Sequence, residues 1–250
     1  MIINMRHLLT IAGVTFFLAI LQSKSSFAMS VEPMVIDMST TGKLARESFA
    51  VSNNGTKPLP VEISVSRLEL GVNGEQKTQS AGDEFLIYPA QAMIPAGGSQ
   101  VFRVQWIGEP YIPKSQAYSF SVSQIPVALP KGTSGIQVLM NFGVIVNVAP
   151  PKGQAAILVE SAAPVAGKDG KRLASLTVKN PGNKHAYLKQ STIRLSGGGW
   201  SAEMTPGEIA QKVGLGIVQP GHERRFVLPV EVPSGVTQIK ADVQFRPDER

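Results

Sequence analysis

The chain has 250 residues, with 24 basic against 18 acidic side chains, two tryptophans, four tyrosines, ten phenylalanines and no cysteine. That length holds one large or two ordinary domains, and the missing cysteines remove thiol nucleophiles, thiolate metal sites and disulfide scaffolds together. Glycine and proline number 24 and 18, above average usage yet short of a low-complexity chain, which describes a folded, turn-rich protein.

Arg6 and His7 precede an apolar run from Leu8 to Leu21, followed by polar Gln22 to Ser26 and then Phe27-Ala28. A basic start, a short apolar stretch and the small-x-small ending Ser26-Phe27-Ala28 predict a secretory signal cleaved after Ala28. The competing reading, a membrane anchor, needs ~20 apolar residues, and this run has 14. Loss of Arg6 and Lys24 with the signal lowers the formal charge from +6 to +4. The expectation is an exported, periplasmic chain of 222 residues with no membrane insertion. Without a Lys/Arg-rich run or a basic stripe, nucleic acid is not an expected partner.

From Met29 onward the pattern is short runs of period two, which predict strands. Val61-Ile63-Val65 alternate with Glu62 and Ser64, Phe102-Val104-Trp106 with Arg103 and Gln105, and Tyr118-Phe120-Val122 with Ser119 and Ser121. Near the end, Ile239-Ala241-Val243-Phe245 alternate with Lys240, Asp242 and Gln244. Each run puts one face in a core and the other in water. Turn signals lie between them, among them Asn53-Asn54-Gly55, Asn73-Gly74, Asn180-Pro181-Gly182 and Gln219-Pro220-Gly221. The predicted fold class is all-β, two immunoglobulin-like sandwiches in tandem.

A faint internal repeat supports the pair. Val51-Ser52-Asn53-Asn54-Gly55 resembles Val178-Lys179-Asn180-Pro181-Gly182, and Ile94-Pro95-Ala96-Gly97 resembles Val218-Gln219-Pro220-Gly221 at nearly the same offset. Matches this short and turn-rich also arise by chance. Pro150-Pro151 cannot continue a central strand, so the expected domains are 29–150 and 151–250.

The most informative segment ends the first of these. From Ile136 to Val148 every even-numbered residue is apolar: Ile136, Val138, Met140, Phe142, Val144, Val146 and Val148. Thirteen residues predict a strand of roughly 40 Å, far above the usual five or six residues. Two readings fit it. In one, the strand is an internal core element, which Leu139 and Ile145 favour by making its second half apolar on both faces. In the other, its first half lies at a sheet edge and offers Ile136, Val138, Met140 and Phe142 to another protein. No charge occurs between Gly132 and Pro151 to blunt such an edge.

A signal, two immunoglobulin-like domains, a Pro-containing link and an alternating apolar strand just before it resemble the periplasmic chaperones of the chaperone–usher pilus pathway. Tyr118-Ser-Phe-Ser-Val-Ser-Gln-Ile-Pro126 is similar to the family's aromatic-rich strand ending in Ile-Pro, and Ile136 to Val148 with Pro150 to its donor strand. The resemblance covers nearly all of the chain after the signal. It implies donor-strand complementation, in which the chaperone lends an edge strand to a pilus or fimbrial subunit, caps it, and delivers it to an outer-membrane usher. Ile136, Val138 and Met140 would plug the subunit, with Phe142 beside them. An uncapped apolar edge also implies self-association of the free chain.

One departure stands out. The better-known branch carries an Arg in the first strand and a Lys on the donor strand, which together hold the subunit's terminal carboxylate. Val31-Glu32-Pro33-Met34-Val35-Ile36 has no Arg, and Ile136 to Val148 has neither Lys nor Arg. This makes the chain similar to the divergent, archaic-type branch. Arg103, which alternates away from Phe102 and Val104, is the candidate replacement, since a guanidinium binds a carboxylate bidentately. An interdomain or sheet-surface Arg that pairs with an acid is the other reading of that residue.

Catalysis is not expected, and neither is a cofactor or a metal. His185 and His222, the histidines left after the signal, each sit beside a turn and are expected in solvent. No Gly-x-Ser-x-Gly motif or metal-ligand spacing occurs, and Gly197-Gly198-Gly199 has neither the Lys-Ser/Thr nor the helix of a phosphate loop, so it predicts a hairpin turn. The alternative function is an exported structural or adhesive sandwich protein, a pilus subunit or a carbohydrate-binding module. The first would want a longer N-terminal donor segment than Met29 to Pro33, the second a cluster of exposed aromatics.

Overall fold

A computed structural model describes residues 29–126, 138–167 and 170–247. The signal and Ile136 lie outside these described residues. The architecture is all-β. Ten strands make the first sandwich: β1 (Met29–Glu32), β2 (Val35–Ser39), β3 (Arg46–Asn53), β4 (Leu59–Leu70), β5 (Gln76–Ser80), β6 (Phe85–Tyr88), β7 (Gln91–Ile94), β8 (Ser99–Trp106), β9 (Gln116–Gln124) and β10 (Asn141–Ala149). One sheet runs β1-β3-β8-β6; the other runs β2-β10-β9-β4-β5, with β7 also on β4. Pro33 separates β1 from β2 and has no N–H to give a ladder. The chain changes sheets there, so that β1 pairs with β3 and β2 with β10.

The alternation read from the sequence fills the core between the sheets. Phe102 and Val104 are buried while Val101 and Arg103 face out, and Tyr118, Phe120 and Val122 are buried beside exposed or half-buried serines. Phe85 sits edge-on to Trp106, Tyr118 and Phe120 at 5.1, 4.8 and 4.9 Å between ring centres, and Phe49 stacks on Phe102 at 5.4 Å. Such pairs each contribute about 0.5–1.5 kcal/mol beyond burial, which matters in a chain with no disulfide.

Eight further strands form the second sandwich: β11 (Leu158–Ala166), β12 (Arg172–Lys179), β13 (Ala186–Tyr187), β14 (Ser191–Gly197), β15 (Trp200–Met204), β16 (Ile217–Val218), β17 (Glu223–Glu231) and β18 (Lys240–Phe245). They pair as β11-β12-β17, β15-β14-β18 and β13-β16 around a core of their own that includes Leu176, Leu188, Ile193, Leu195, Ile209 and Leu228, with Trp200 half-buried against it. Gly198 and Gly199 take the two turn positions between β14 and β15 with φ of 55° and 78°, as the hairpin reading requires. One helix, Pro206–Lys212, escapes a search for 3.6-residue periodicity because it has only seven residues. Its start was nonetheless written in the sequence: Thr205 caps it, Pro206 follows, and Glu208 closes a capping box.

The five-residue repeat turns out to be the same buried corner built twice. Asn53 donates from Nδ2 to the carbonyls of Lys57 and Ile94 at 2.8 and 3.0 Å and accepts from the N–H of Gly55 at 3.0 Å. Asn180 donates to Lys184 and Val218 at 2.8 and 3.0 Å and accepts from Gly182 at 2.9 Å. Their backbones match too: the carbonyls of Asn53 and Asn180 accept from Gly97 and Gly221. Both amides are buried, so each lost bond leaves a carbonyl or N–H unpaired at about 1–3 kcal/mol. Asn180→Ala should therefore lower unfolding free energy by about 2–4 kcal/mol in urea titrations. Asn180→Asp should do no better, because a carboxylate cannot donate; a loss below ~0.5 kcal/mol in either variant would remove the corner from the fold's supports.

Candidate functional site

The strand expected over Ile136 to Val148 is shorter in the structure. β10 begins at Asn141, and Val138 to Met140 lie outside any strand. The reason is its neighbour: β9 ends at Gln124, whose N–H reaches the Met140 carbonyl at 2.9 Å, and Ile125 then turns away to bond Pro60. Pro126 has no N–H to continue the ladder.

On its other side β10 is only half covered. β2 joins it in parallel from Val35 opposite Ile145 to Ser39 opposite Ala149, and the first bond is from the Ile145 N–H to the Met34 carbonyl at 2.9 Å. Even-numbered residues of β10 bond β9, so the N–H and C=O groups of Asn141 and Gly143 point to the opposite side. Among the described residues no strand meets them there. Backbone groups in that position are a template for another strand.

The apolar row changes character along this edge. Val144, Val146 and Val148 are fully buried, Phe142 and Met140 are half-buried against the same core, and Val138 is 77% exposed. The first sandwich thus releases its row of side chains toward the unpaired end. Phe142 lies on β10, and Met140 and Val138 lie on the segment that leads into it. The structure does not bring Arg103 to them: it stands on β8, in the other sheet, on the outward face opposite Tyr88 and Ser48.

The second half of β10 explains Leu139 and Ile145 differently from a strand buried between sheets. Leu139 is exposed, whereas Ile145 packs outward against Val35, Leu68, Ala117, Tyr187 and Ile217, where the second sandwich covers the first. Asn147, fully buried on the same face, donates to the Tyr187 hydroxyl at 2.8 Å and to Asp37 at 3.2 Å. Tyr187 donates to the same Asp37 oxygen at 2.5 Å, and His185 Nε2 lies 3.1 Å from it.

His185, expected in solvent, is instead 4% exposed, because Asp37 from β2 and Ser115 before β9 close over it; its N–H donates to Ser115 Oγ at 2.7 Å. Gln219 completes the contact, its amide donating to Leu68 O and accepting from Leu70 N–H, each at 2.8 Å, just past the end of the β4–β9 pairing. These groups hold the two sandwiches at a set angle beside the open edge. Of these groups, Gln219 was visible in the sequence only as part of a turn, and Asp37 and Asn147 carried no signal of a contact between sandwiches beyond an amide at 147 set among valines.

No protein-family model matches this chain, and no curated protein sequence does. Solved structures do. The class 5 fimbriae chaperone CfaA covers 88% of this chain with 99% of its own, at TM-score 0.53 and 12% identity. The chaperone YadV covers 87% with 92% of its own, at 0.53 and 14%. A chain of the Salmonella enterica SafA pilin–SafB chaperone complex covers 90% with 99% of its own, at 0.52 and 14%. The fold is that of the two-sandwich pilus chaperones.

Asp37 gives the interface a pH signature. Asp37 is half exposed, and its partial desolvation against the second sandwich would by itself raise its pKa, but the hydrogen bond and charge of His185, with hydrogen bonds from Tyr187 and Asn147, outweigh this and lower it from 3.8 to about 2. A carboxyl group depressed on folding contributes stability that is complete above its unfolded value and is lost as pH falls through about 2. Urea midpoints measured from about pH 4 down to about pH 2 should fall less steeply in Asp37→Asn than in the parent. Parallel slopes would take Asp37 out of the interface balance.

Proposed function

We propose that this protein is a periplasmic pilus-assembly chaperone that binds fimbrial subunits by donor-strand complementation through residues 136–144. The observation that carries the reading is the half-covered β10: β2 stops at Val35, leaving Asn141 and Gly143 with outward backbone groups, while apolar side chains emerge from the core beside them. Backbone bonds would give affinity that tolerates sequence change, and Val138, Met140 and Phe142 would fill a subunit's groove at about 1.5–3 kcal/mol each before association costs. Likeness in fold to a chain of the SafA pilin–SafB chaperone complex supports the same partner class.

Residues 29–150 form the subunit-binding domain and 151–250 the supporting one. The signal sends the chain to the periplasm and is cleaved after Ala28. The chaperone delivers its cargo to an outer-membrane usher, works by binding and not by catalysis, and self-associates through the same edge when no cargo is present. The lack of an Arg in 31–36 and of Lys or Arg in 136–148 supports kinship with the divergent, archaic-type branch.

Co-expression with pilin-like proteins from the same genome should yield a stable one-to-one complex. Val138→Asp, at an exposed position that folding does not need, should reduce recovered complex at least ~10-fold, and Val138→Asp with Met140→Asp further, since each buries a charge in the groove. Recovery of the single variant at the parent's level, or no complex with any subunit, would overturn the reading.

A further inference from the structure

The hairpin between β4 and β5 touches the second sandwich with its tip. The Val72 carbonyl accepts from the Arg225 N–H on β17 at 2.7 Å, and the Asn73 amide oxygen accepts from Arg225 Nη2 at 2.5 Å. The other end of the same amide meets Glu75. Asn73 Nδ2 donates to Oε1 at 2.9 Å, and the Asn73 backbone N–H donates to Oε2 at 3.1 Å. Asn73 is exposed, and Gly74 after it turns the chain with a φ of 93°.

In an Asn-Gly pair the backbone nitrogen of the glycine can reach the asparagine side chain, because no Cβ hinders the approach. At Asn73 the amide is held at both ends by charged groups. The Arg225 guanidinium sits on the oxygen that turns negative when the carbon is attacked, where a fixed donor lowers the barrier. On the nitrogen that must leave sits the Glu75 carboxylate. Hydrogen bonding from the Asn73 side chain holds that carboxyl below its usual range, so it is ionised and able to carry a proton.

We propose that Asn73 is a self-modifying site, at which the folded chain converts its own amide to a carboxylate. The Gly74 nitrogen forms a bond to Asn73 Cγ and gives up its proton. Glu75 passes that proton to Nδ2, and the bond from Cγ to Nδ2 breaks to release ammonia. Water then opens the five-membered imide at one of its two carbonyls, leaving aspartate or isoaspartate. The new carboxylate faces Arg225, and Glu75 already feels the charge of Arg224, so an amide contact between the sandwiches becomes a network of two acids and two guanidinium groups. The site stands independently of the subunit-capture reading.

The chain carries its own control at Asn54-Gly55. Both glycine N–H groups are hydrogen-bonded, that of Gly74 to the Gly71 carbonyl at 2.9 Å and that of Gly55 to Asn53 Oδ1 at 3.0 Å. The side-chain amides differ, since Asn54 Nδ2 donates to the Ser30 hydroxyl at 3.4 Å.

Incubation of the folded chain and of the urea-unfolded chain at neutral pH, followed by peptide mass mapping of both sites, tests the proposal. The ratio of conversion at Asn73 to that at Asn54 should be at least ~5-fold higher in the folded chain than in urea, where local sequence acts alone. Arg225→Gln should slow Asn73 at least ~5-fold and leave Asn54 unchanged, and Arg225→Lys, which keeps a cation but not the fork of donors, should slow it less. Arg225 is exposed and its backbone bond to Val72 does not need the side chain; circular dichroism melts check the fold of each variant. Equal ratios in the folded and unfolded chains, or an Asn73 rate that Arg225→Gln does not change, would overturn the proposal.

Discussion

A strand's backbone has bonds to offer on both sides, and this protein leaves one side of β10 half unused. Met29 to Glu32 pair with β3, the chain crosses at Pro33, and it reaches β10 only at Ile145. Had the crossing come four residues later, β1 would have extended along β3 and left more of β10 bare; four earlier, β2 would have sealed it. The position of one proline in the sequence therefore sets how much edge the first sandwich exposes. The polar contact between the sandwiches is built from the sealed half of the same strand, so Asn147 and Ile145 fasten the second sandwich while Asn141 and Gly143 stay available.

Much of this was legible because strand faces have a period that survives in one dimension. Phe102-Val104-Trp106 and Tyr118-Phe120-Val122 announce inward faces without any knowledge of their partners, and the twin corners at Asn53 and Asn180 were visible as a short repeat. What the sequence could not display depends on residues far away in the chain. The start of β10 is fixed by where β9 turns off at Ile125, and the burial of His185 by Asp37, brought in from β2. Arg103 was recognised as an outward cation, but its surroundings come from Tyr88, which only the pairing of β6 with β8 brings opposite.

Between the two cores the balance differs. The first sandwich packs three aromatic rings around Phe85 and then lets its apolar row thin out from Val144 to Val138, so closely packed rings on β9 and an uncovered edge on β10 lie on neighbouring strands. The second has a mainly aliphatic centre with Phe226 at its margin, a capped helix and a tight glycine hairpin, the features of a body built to stay fixed.

The two tryptophans fall one to each sandwich. Trp106 is 5% exposed with its indole N–H held by the Glu109 carbonyl at 3.1 Å, and Trp200 is half-buried beside the Gly198–Gly199 turn. Nature has thus installed a separate optical probe in each half: a blue-shifted emitter, quenched or released as the first core opens, and a redder one that follows the second. Replacing either indole by phenylalanine gives a chain in which the melting of one half can be watched without the other.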